Sequence, residues 1–316
     1  MFLFFVYDKS RERELRNMDD RTKKIVSIVL IGVAAICLSL VVFLGVRQWL
    51  DDRYCQEALD ELRNAAESKK EDSASVIPTA PAPVAAVPPA AATELPSPTA
   101  TPDITPTPIP TPVPVANPYQ DSFLANSDMA AWIQVPGTPI DYPVMWTPRD
   151  EEYYLYRDFN GRDNSNGCLI LDTDSCLDPL TTNLIIHGHN MKSGAMFGSL
   201  KNYENPDYYE DHKNVILYTD GLERNYEVIA AFYSQVYKVS DQVFKFYKFF
   251  QADTEEEFDD FYQNIKALSL YDTNVTAEFG DHFLTLSTCA YHVEQGRFVV
   301  VAKEVESGDH YLPVKE

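Results

Sequence analysis

Positive charge is scarce in this sequence. The 316 residues carry 26 Lys and Arg against 48 Asp and Glu, a formal net charge of −22. Binding to nucleic acid requires a clustered cationic surface that neutralises phosphates. The excess of acidic over basic residues therefore argues against a nucleic-acid partner. Its simplest explanation is a solvated acidic surface.

Cysteine is also scarce, with five residues spread over the whole chain: Cys37, Cys55, Cys168, Cys176 and Cys289. Such scattered residues do not form the disulfide framework of a small secreted scaffold. Two interpretations remain open for Cys168 and Cys176, which either pair in an oxidising exterior or stay as two thiols.

Recognisable metal motifs are missing as well. The polar stretch "DFNGRDNSNG", residues 158–167, lacks both the oxygen order and the closing glutamate of a calcium-binding EF-hand loop. His187 and His189 have a spacing that permits metal ligation, but no third ligand follows at a convincing distance in the sequence. We therefore predict no metal and no organic cofactor.

The N-terminal region has the pattern of a membrane anchor. Residues 1–24 contain seven Lys or Arg, and residues 25–46 contain no charge. As a helix, these 22 residues span roughly 33 Å, enough for a bilayer core. The basic flank predicts a cytoplasmic N-terminus. A cleaved signal peptide is the alternative to an anchor, although its apolar region is usually shorter. Met18 is an alternative to Met1 as the initiator methionine.

Three further segments follow the anchor. Residues 47–72 are predicted to form a polar, helical juxtamembrane stalk. Residues 73–118 contain 14 of the 21 prolines and are predicted to be an extended linker. Residues 119–316 are the size of one domain. We expect this domain to lie outside the cell, held at the membrane by a single span.

The domain is predicted to be mainly β. About eight apolar runs, among them "CLILD", "NLIIHGH", "HFLTLSTC" and "RFVVVAKEV", are bounded by Gly, Asn, Asp and Pro. They indicate an antiparallel barrel or sandwich. A short helix is expected near residue 120. A second helix is expected between the sixth and seventh strands, where Thr254 and Glu257 fit a capping box.

Cys289 and Arg297 are the first candidates for chemistry. Cys289 ends one predicted strand and Arg297 begins the next, so pairing of the strands brings the two residues close. A guanidinium beside a thiol favours the thiolate, and it can also bind an oxyanion. The alternative is a cysteine that is merely buried and an arginine that is merely exposed.

A reactive thiol needs a proton partner, usually histidine. His187 and His189 stand where a buried strand meets a polar loop, a common position for catalytic side chains. His292 lies in the loop after Cys289 and is a rival base because of its proximity in the sequence.

The motifs together resemble the sortases, membrane-anchored cysteine transpeptidases of Gram-positive bacteria, and in particular class B. Thr-Leu-Ser-Thr-Cys at 285–289, followed by Arg297, is similar to one family signature, and Gly-His-Asn at 188–190 is similar to a second. The stretches "AAWIQVPGTPIDYPVM" and "MKSGAMFGSL" also look like class B. The likeness covers residues 120–305 and implies an eight-stranded sortase barrel with N-terminal helices and an extra helix before the Cys-bearing strand.

The resemblance also implies a role for each site residue. Cys289 is expected to be the nucleophile that attacks a Thr carbonyl, His189 the general acid and base, and Arg297 the oxyanion ligand. Ser287 and Thr288 are expected to line the substrate groove. His187 stands where class B members often have Tyr, which makes it a further groove candidate.

The implied substrates are surface proteins with a C-terminal sorting signal. The implied acceptor is an amino group of the peptidoglycan cross-bridge, of a lipid-linked precursor or of a pilin lysine. Two other functions stay open from the residues alone: a cell-wall thiol endopeptidase, in which water replaces the amine, and a non-catalytic adhesin displayed on the proline-rich segment.

Overall fold

The computed structural model describes residues 19–74 and 117–310 of the chain. Most of the predicted cytoplasmic segment, Met18, and nearly all of the proline-rich linker lie outside the described residues. The chain divides into two compact units, Met1–Gln56 and Glu57–Glu316.

A long helix, α1 (Asp20–Ala74), runs through the predicted apolar segment and the predicted stalk without a break. In the first unit, the side chains of its apolar stretch are exposed, with Leu30 and Phe43 each more than 60% accessible. Among the described residues, α1 is the one helix that is long and apolar enough to cross a membrane.

The last turns of α1 belong to the second unit, where they pack against the domain. Arg63 donates from Nε and Nη2 to the carbonyl oxygen of Asp141, at 2.9 and 2.7 Å. The Nζ of Lys69 lies 2.7 Å from a carboxylate oxygen of Asp121, and Ala66 is buried in an aromatic-rich cluster. This part of the helix is therefore a structural element of the domain.

Eight strands form a closed barrel, which confirms the predicted strand number and the barrel architecture. They are β1 (Met129–Gln134), β2 (Asp141–Met145), β3 (Leu169–Leu171), β4 (Asn183–Gly188), β5 (Asn214–Tyr218), β6 (Leu222–Gln235), β7 (Phe283–Cys289) and β8 (Gly296–His310). Their order around the barrel is β1-β2-β3-β4-β7-β8-β6-β5.

Two pairings depart from the predicted antiparallel arrangement. Strands β2 and β3 pair in parallel, and so do β4 and β7, while the other six pairings are antiparallel. Parallel neighbours need a long crossover connection, and residues 189–282 supply one between β4 and β7. Hydrophobic alternation within a strand carries no information on such a crossover, so the sequence pattern missed it.

Within residues 117–310 the second unit also has three α-helices: α2 (Gln120–Ala125), α3 (Pro206–Asp211) and α4 (Glu255–Leu268). The predicted capping box of α4 is confirmed, because Thr254 accepts from the amide of Glu257 and Glu257 caps in return. One face of α4 buries Phe258, Phe261 and Ile265 against strands β6, β7 and β8. This packing supports the back of the strand that ends at Cys289.

Single-turn 3-10 helices occur at Tyr153–Tyr156, Leu200–Glu204 and Phe246–Lys248. The first and the third contribute residues to the cleft described below.

Cys176 is a free thiol that donates from Sγ to the carbonyl of Asp178 at 3.2 Å, so it forms no disulfide with Cys168.

Candidate active site

The parallel pairing of β4 and β7 brings two chain segments to one rim of the barrel. Gly188 of β4 lies opposite Thr288 of β7. Neighbouring strands are about 4.8 Å apart, and parallel strands point the same way. His189 directly follows β4, and Cys289 is the last residue of β7. The two candidates, 100 positions apart in the sequence, therefore emerge side by side.

The hairpin between β7 and β8 adds the third candidate. Cys289 and Arg297 are direct partners across the antiparallel ladder, which confirms the predicted proximity. The loop between them closes with a hydrogen bond from the amide of Ala290 to the carbonyl of Gly296, at 2.9 Å. A β-carbon at position 296 would lie 2.2 Å from the carbonyl oxygen of Ala290, so this closure requires glycine.

One cleft of about 510 Å³ contains the six residues to which the family resemblance assigns a role. Its lining includes Cys289, His189, Arg297, Ser287, Thr288 and His187. His292 is not among the lining residues; it is exposed, and its ring packs 4.6 Å from that of Tyr233. The geometry therefore brings the thiol together with His189 rather than with His292.

His189 is held by the 3-10 helix Tyr153–Tyr156. Its Nε2 lies 2.8 Å from the carbonyl oxygen of Leu155. Because a carbonyl oxygen can only accept, Nε2 carries the proton of this bond. The ring of Tyr156 lies 5.2 Å from the imidazole ring. The imidazole is thus oriented, and its Nδ1 is left to exchange a proton with another group.

Tyr154 anchors the same 3-10 helix. This residue is 3% exposed, and its hydroxyl donates to Asp128 Oδ2 and accepts from Asn126 Nδ2, both at 3.0 Å. Burial raises the pKa of Tyr154 to about 12, and the hydrogen bond to Asp128 acts in the same direction. The phenol therefore stays protonated and fixes the turn that holds His189.

Two polar contacts fix the separation of the strand ends. Asn190 donates from Nδ2 to the carbonyl oxygen of Cys289 at 2.7 Å. Thr288 donates from its hydroxyl to the carbonyl of Gly188 at 2.8 Å. A β-carbon at position 188 would lie 2.4 Å from Leu169 Cδ2. The glycine of Gly-His-Asn therefore permits close packing, and the asparagine ties the histidine loop to the cysteine.

The guanidinium of Arg297 is hydrogen-bonded to the loop between β7 and β8. Its Nη1 donates to the carbonyls of Gln295 and Gly296, at 3.3 and 3.0 Å. A guanidinium has five N–H donors in a fixed plane. Both of these bonds use Nη1, so the group has further donors with which to bind a carbonyl oxygen in the cleft.

Ser287 and Thr288 are almost fully buried, at 1% and 2% exposure. The hydroxyl of Thr288 is engaged with Gly188, so its contribution to the cleft is mainly structural. The hydroxyl of Ser287 has no hydrogen-bond partner among the described residues. Of the two, Ser287 has the hydroxyl that is available to another group.

Acidic residues were missed by the sequence reasoning. Nε2 of His187 lies 3.1 Å from Oδ2 of Asp172, which directly follows β3, the strand that pairs with β4. Glu151 completes a group of three whose ligand-type atoms all lie within 4.8 Å of one another. The position of Asp172 at a strand end was a usable signal, whereas the position of Glu151 in a loop was not.

The cleft has mixed charge. Four carboxylates line it, from Glu151, Glu152, Asp172 and Asp174, together with the cations Lys248 and Arg297. A thiol, an imidazole and a guanidinium at one rim of such a cleft are suited to nucleophilic attack on a carbonyl, with proton transfer by the imidazole.

Comparison with known proteins agrees with this geometry. The family profile of the sortase domain matches residues 133–305. Sortase B of Listeria monocytogenes is 34% identical over 184 residues, which cover 57% of this chain and 71% of that protein. Sortase B of Staphylococcus aureus is 30% identical over 191 residues, covering 57% of this chain and 72% of that protein.

A solved structure shows the same fold. The complex of S. aureus sortase B with its substrate superposes with a TM-score of 0.54 at 27% identity, covering 61% of this chain and 87% of that one. The active-site motifs and the barrel, except for the start of β1 and the end of β8, fall within the residues that the family profile matches. The chain therefore belongs to the sortase family, in its class B, and is a cysteine transpeptidase of the cell wall.

Proposed function

We propose that the enzyme cleaves the C-terminal sorting signal of a surface protein after a threonine and transfers the protein to an amino group of the cell wall. The thiol of Cys289 gives its proton to Nδ1 of His189, and the resulting thiolate attacks the threonine carbonyl, so that the oxyanion forms beside Arg297. The C–N bond then breaks, and the imidazolium of His189 protonates the leaving amine. A thioacyl enzyme is the product of this first half-reaction.

The second half-reaction reverses these roles. An acceptor amine attacks the thioester carbonyl and loses its proton to His189, and the thiolate of Cys289 leaves. The acceptor is a peptidoglycan cross-bridge, a lipid-linked precursor or a pilin lysine. Both steps as written use only groups of the chain and its two substrates.

The observation that carries this proposal is the parallel register of β4 and β7. It places the residue after Gly188 and the residue after Thr288 at one rim, where both line the cleft that also receives Arg297. A nucleophile, a proton carrier and a cation on one cleft wall are the requirements of acyl transfer through a thioester.

Individual contacts in the cleft support these roles. The bond from Nε2 of His189 to the carbonyl of Leu155 leaves Nδ1 for proton exchange. Ser287 and His187 line the same cleft and are proposed to bind the sorting peptide beside the scissile bond. Thr288 is proposed to keep the groove in shape through its bond to Gly188.

We further propose a single-pass anchor over residues 25–46, with the N-terminus in the cytoplasm. Seven Lys or Arg precede the apolar stretch, and helix α1 extends through it. The catalytic domain then lies outside the cell. Because Arg63 and Ala66 of α1 already pack against this domain, the proline-rich segment connects two parts of the same unit and is not proposed to extend it from the membrane.

Product analysis tests the proposal. The full chain in detergent is incubated with a library of peptides varied around a central threonine, with and without triglycine as the amine. A transpeptidase joins the N-terminal fragment to triglycine, and the Cys289→Ala enzyme forms no product. Hydrolysis alone, at a rate that triglycine leaves unchanged, would instead identify a thiol endopeptidase.

A further inference from the structure

A second cluster of chemically active side chains lines the cleft, separate from the thiol and its imidazole. It consists of Glu151, Asp172 and His187, whose ligand-type atoms all lie within 4.8 Å of one another. Each is partly buried, and each lines the cleft. The three come from different parts of the chain: the loop after β2, the residue after β3, and the end of β4.

Neighbouring groups hold both carboxylates in place. Oδ1 of Asp172 accepts from the amide of Asp174 at 3.0 Å, which leaves Oδ2 directed at His187. Oε2 of Glu151 accepts from the hydroxyl of Thr173 at 2.8 Å. Such outer hydrogen bonds orient the ligands of metal sites and raise their affinity.

We propose that Glu151, Asp172 and His187 bind one divalent transition-metal ion, with Zn²⁺ as the best match. Zn–N and Zn–O bonds of about 2.1 Å in a tetrahedron place ligand atoms about 3.4 Å apart. Nε2 of His187 and Oδ2 of Asp172, at 3.1 Å, are already close to this separation. The ligand atom of Glu151 lies within 4.8 Å of both, so a small shift of its carboxylate completes the set.

The ligand set also selects the metal. One imidazole and two carboxylates suit Zn²⁺ and its neighbours in the first transition row. Ca²⁺ takes about six to eight oxygen ligands, more than two carboxylates supply. The fourth position faces the cleft, so water or a substrate group completes the tetrahedron. Binding displaces the proton that Nε2 of His187 now donates to Asp172.

This site does not depend on the catalytic roles proposed above, and its test measures binding. The full chain is purified without a histidine tag, in detergent, and carries Cys289→Ala so that the active-site thiol is not a ligand. Isothermal titration with ZnCl₂ is expected to show a saturable site, and Co²⁺ in its place is expected to give the visible absorption bands of a tetrahedral ion. Ca²⁺ is expected to be at least about tenfold weaker.

Variants in the same Cys289→Ala background identify the ligands. His187→Ala, Asp172→Asn and Glu151→Gln are each expected to weaken Zn²⁺ binding about a hundredfold or more, because each removes a ligand. Two other residues that line the same cleft provide matched controls. Glu152→Gln changes the residue next to Glu151, and His189→Ala changes the histidine two positions after His187. Both are expected to bind Zn²⁺ as the parent does.

Three results would overturn the proposal. They are the absence of saturable Zn²⁺ binding, an affinity that His187→Ala and Asp172→Asn leave unchanged, and Ca²⁺ binding as tight as that of Zn²⁺. The thermal unfolding of every variant is also measured without metal. A variant that unfolds like the parent but binds Zn²⁺ weakly has lost a ligand and not its fold. Because three independent substitutions address the same ion, one unfolded variant leaves two that decide the question.

Discussion

The side-chain amide of Asn190 donates a hydrogen bond of 2.7 Å to the backbone carbonyl of Cys289. The bond joins the loop after β4 to the end of β7. His189 is the neighbour of Asn190, so the bond also fixes the distance between the imidazole and the thiol. The Gly-His-Asn motif thus combines close packing at its first residue, chemistry at its second and positioning at its third.

Asn190→Ala is expected to lower kcat about fivefold to tenfold with a smaller change in KM. Loss of one hydrogen bond costs about 1 kcal/mol, and the strand ends then move apart more freely. Steady-state kinetics of amine transfer provide the measurement. Asn264→Ala is the control and should leave kcat unchanged, because Asn264 lies on α4, outside the cleft lining, and its amide donates to Asp260 within that helix. An Asn190→Ala enzyme with unchanged kcat would contradict the positioning role.

His189→Ala is expected to lower kcat/KM by about a hundredfold or more, the usual contribution of a positioned general acid–base group. His292→Ala is expected to stay within about twofold of the parent, because that ring is exposed and lies outside the cleft lining. The comparison is made with one peptide and one amine at fixed pH. The opposite ranking of the two variants would show that His292 is the base.

Arg297→Ala is expected to cost about a hundredfold in kcat, by analogy with the loss of an oxyanion-hole donor. Arg297→Lys should recover part of the rate, since it keeps the charge but loses the planar fork of donors. Arg149→Ala removes an equal charge from an exposed loop and serves as the control. If Arg297→Ala and Arg149→Ala have the same kcat, Arg297 does not bind the oxyanion.

Tyr154→Phe is expected to lower the free energy of unfolding by about 1 kcal/mol at neutral pH, through the lost bonds to Asp128 and Asn126. The pKa of Tyr154 is raised to about 12 in the folded state, against about 10 for an unfolded chain. Between these values the unfolded wild type loses a proton that the folded wild type keeps.

Because deprotonation favours the unfolded state in this range, the wild type loses stability relative to Tyr154→Phe as the pH rises from 10 toward 12. Denaturant unfolding of both proteins over this range measures the difference, which should be constant below pH 10 and shrink above it. A difference that is independent of pH would show that Tyr154 titrates at its ordinary pKa when folded.

Much of the fold follows from local patterns in the sequence. The eight apolar runs correspond to eight strands, and the capping box at Thr254 begins a helix because both its bonds lie within one turn. The cross-strand pairing of Cys289 and Arg297 was also predictable, because a short hairpin fixes its own register.

Long-range features were harder to predict. The parallel pairing of β4 and β7 depends on how nearly 100 intervening residues cross the barrel, which a pattern of period two does not encode. The proximity of His189 and Cys289 came from resemblance to the family motifs. Glu151 lies in a loop 36 positions before His187, so no spacing rule links the two residues.

The most direct test of the proposed thioacyl mechanism is the intact mass of the enzyme during turnover. The full chain is mixed with a cleavable threonine peptide in the absence of amine, quenched in acid, and analysed by mass spectrometry with peptide mapping. We expect an added acyl fragment that ends in threonine, attached to Cys289, which triglycine removes. Turnover of the same peptide by a Cys289→Ala enzyme, or an acyl group mapped to another residue, would contradict it.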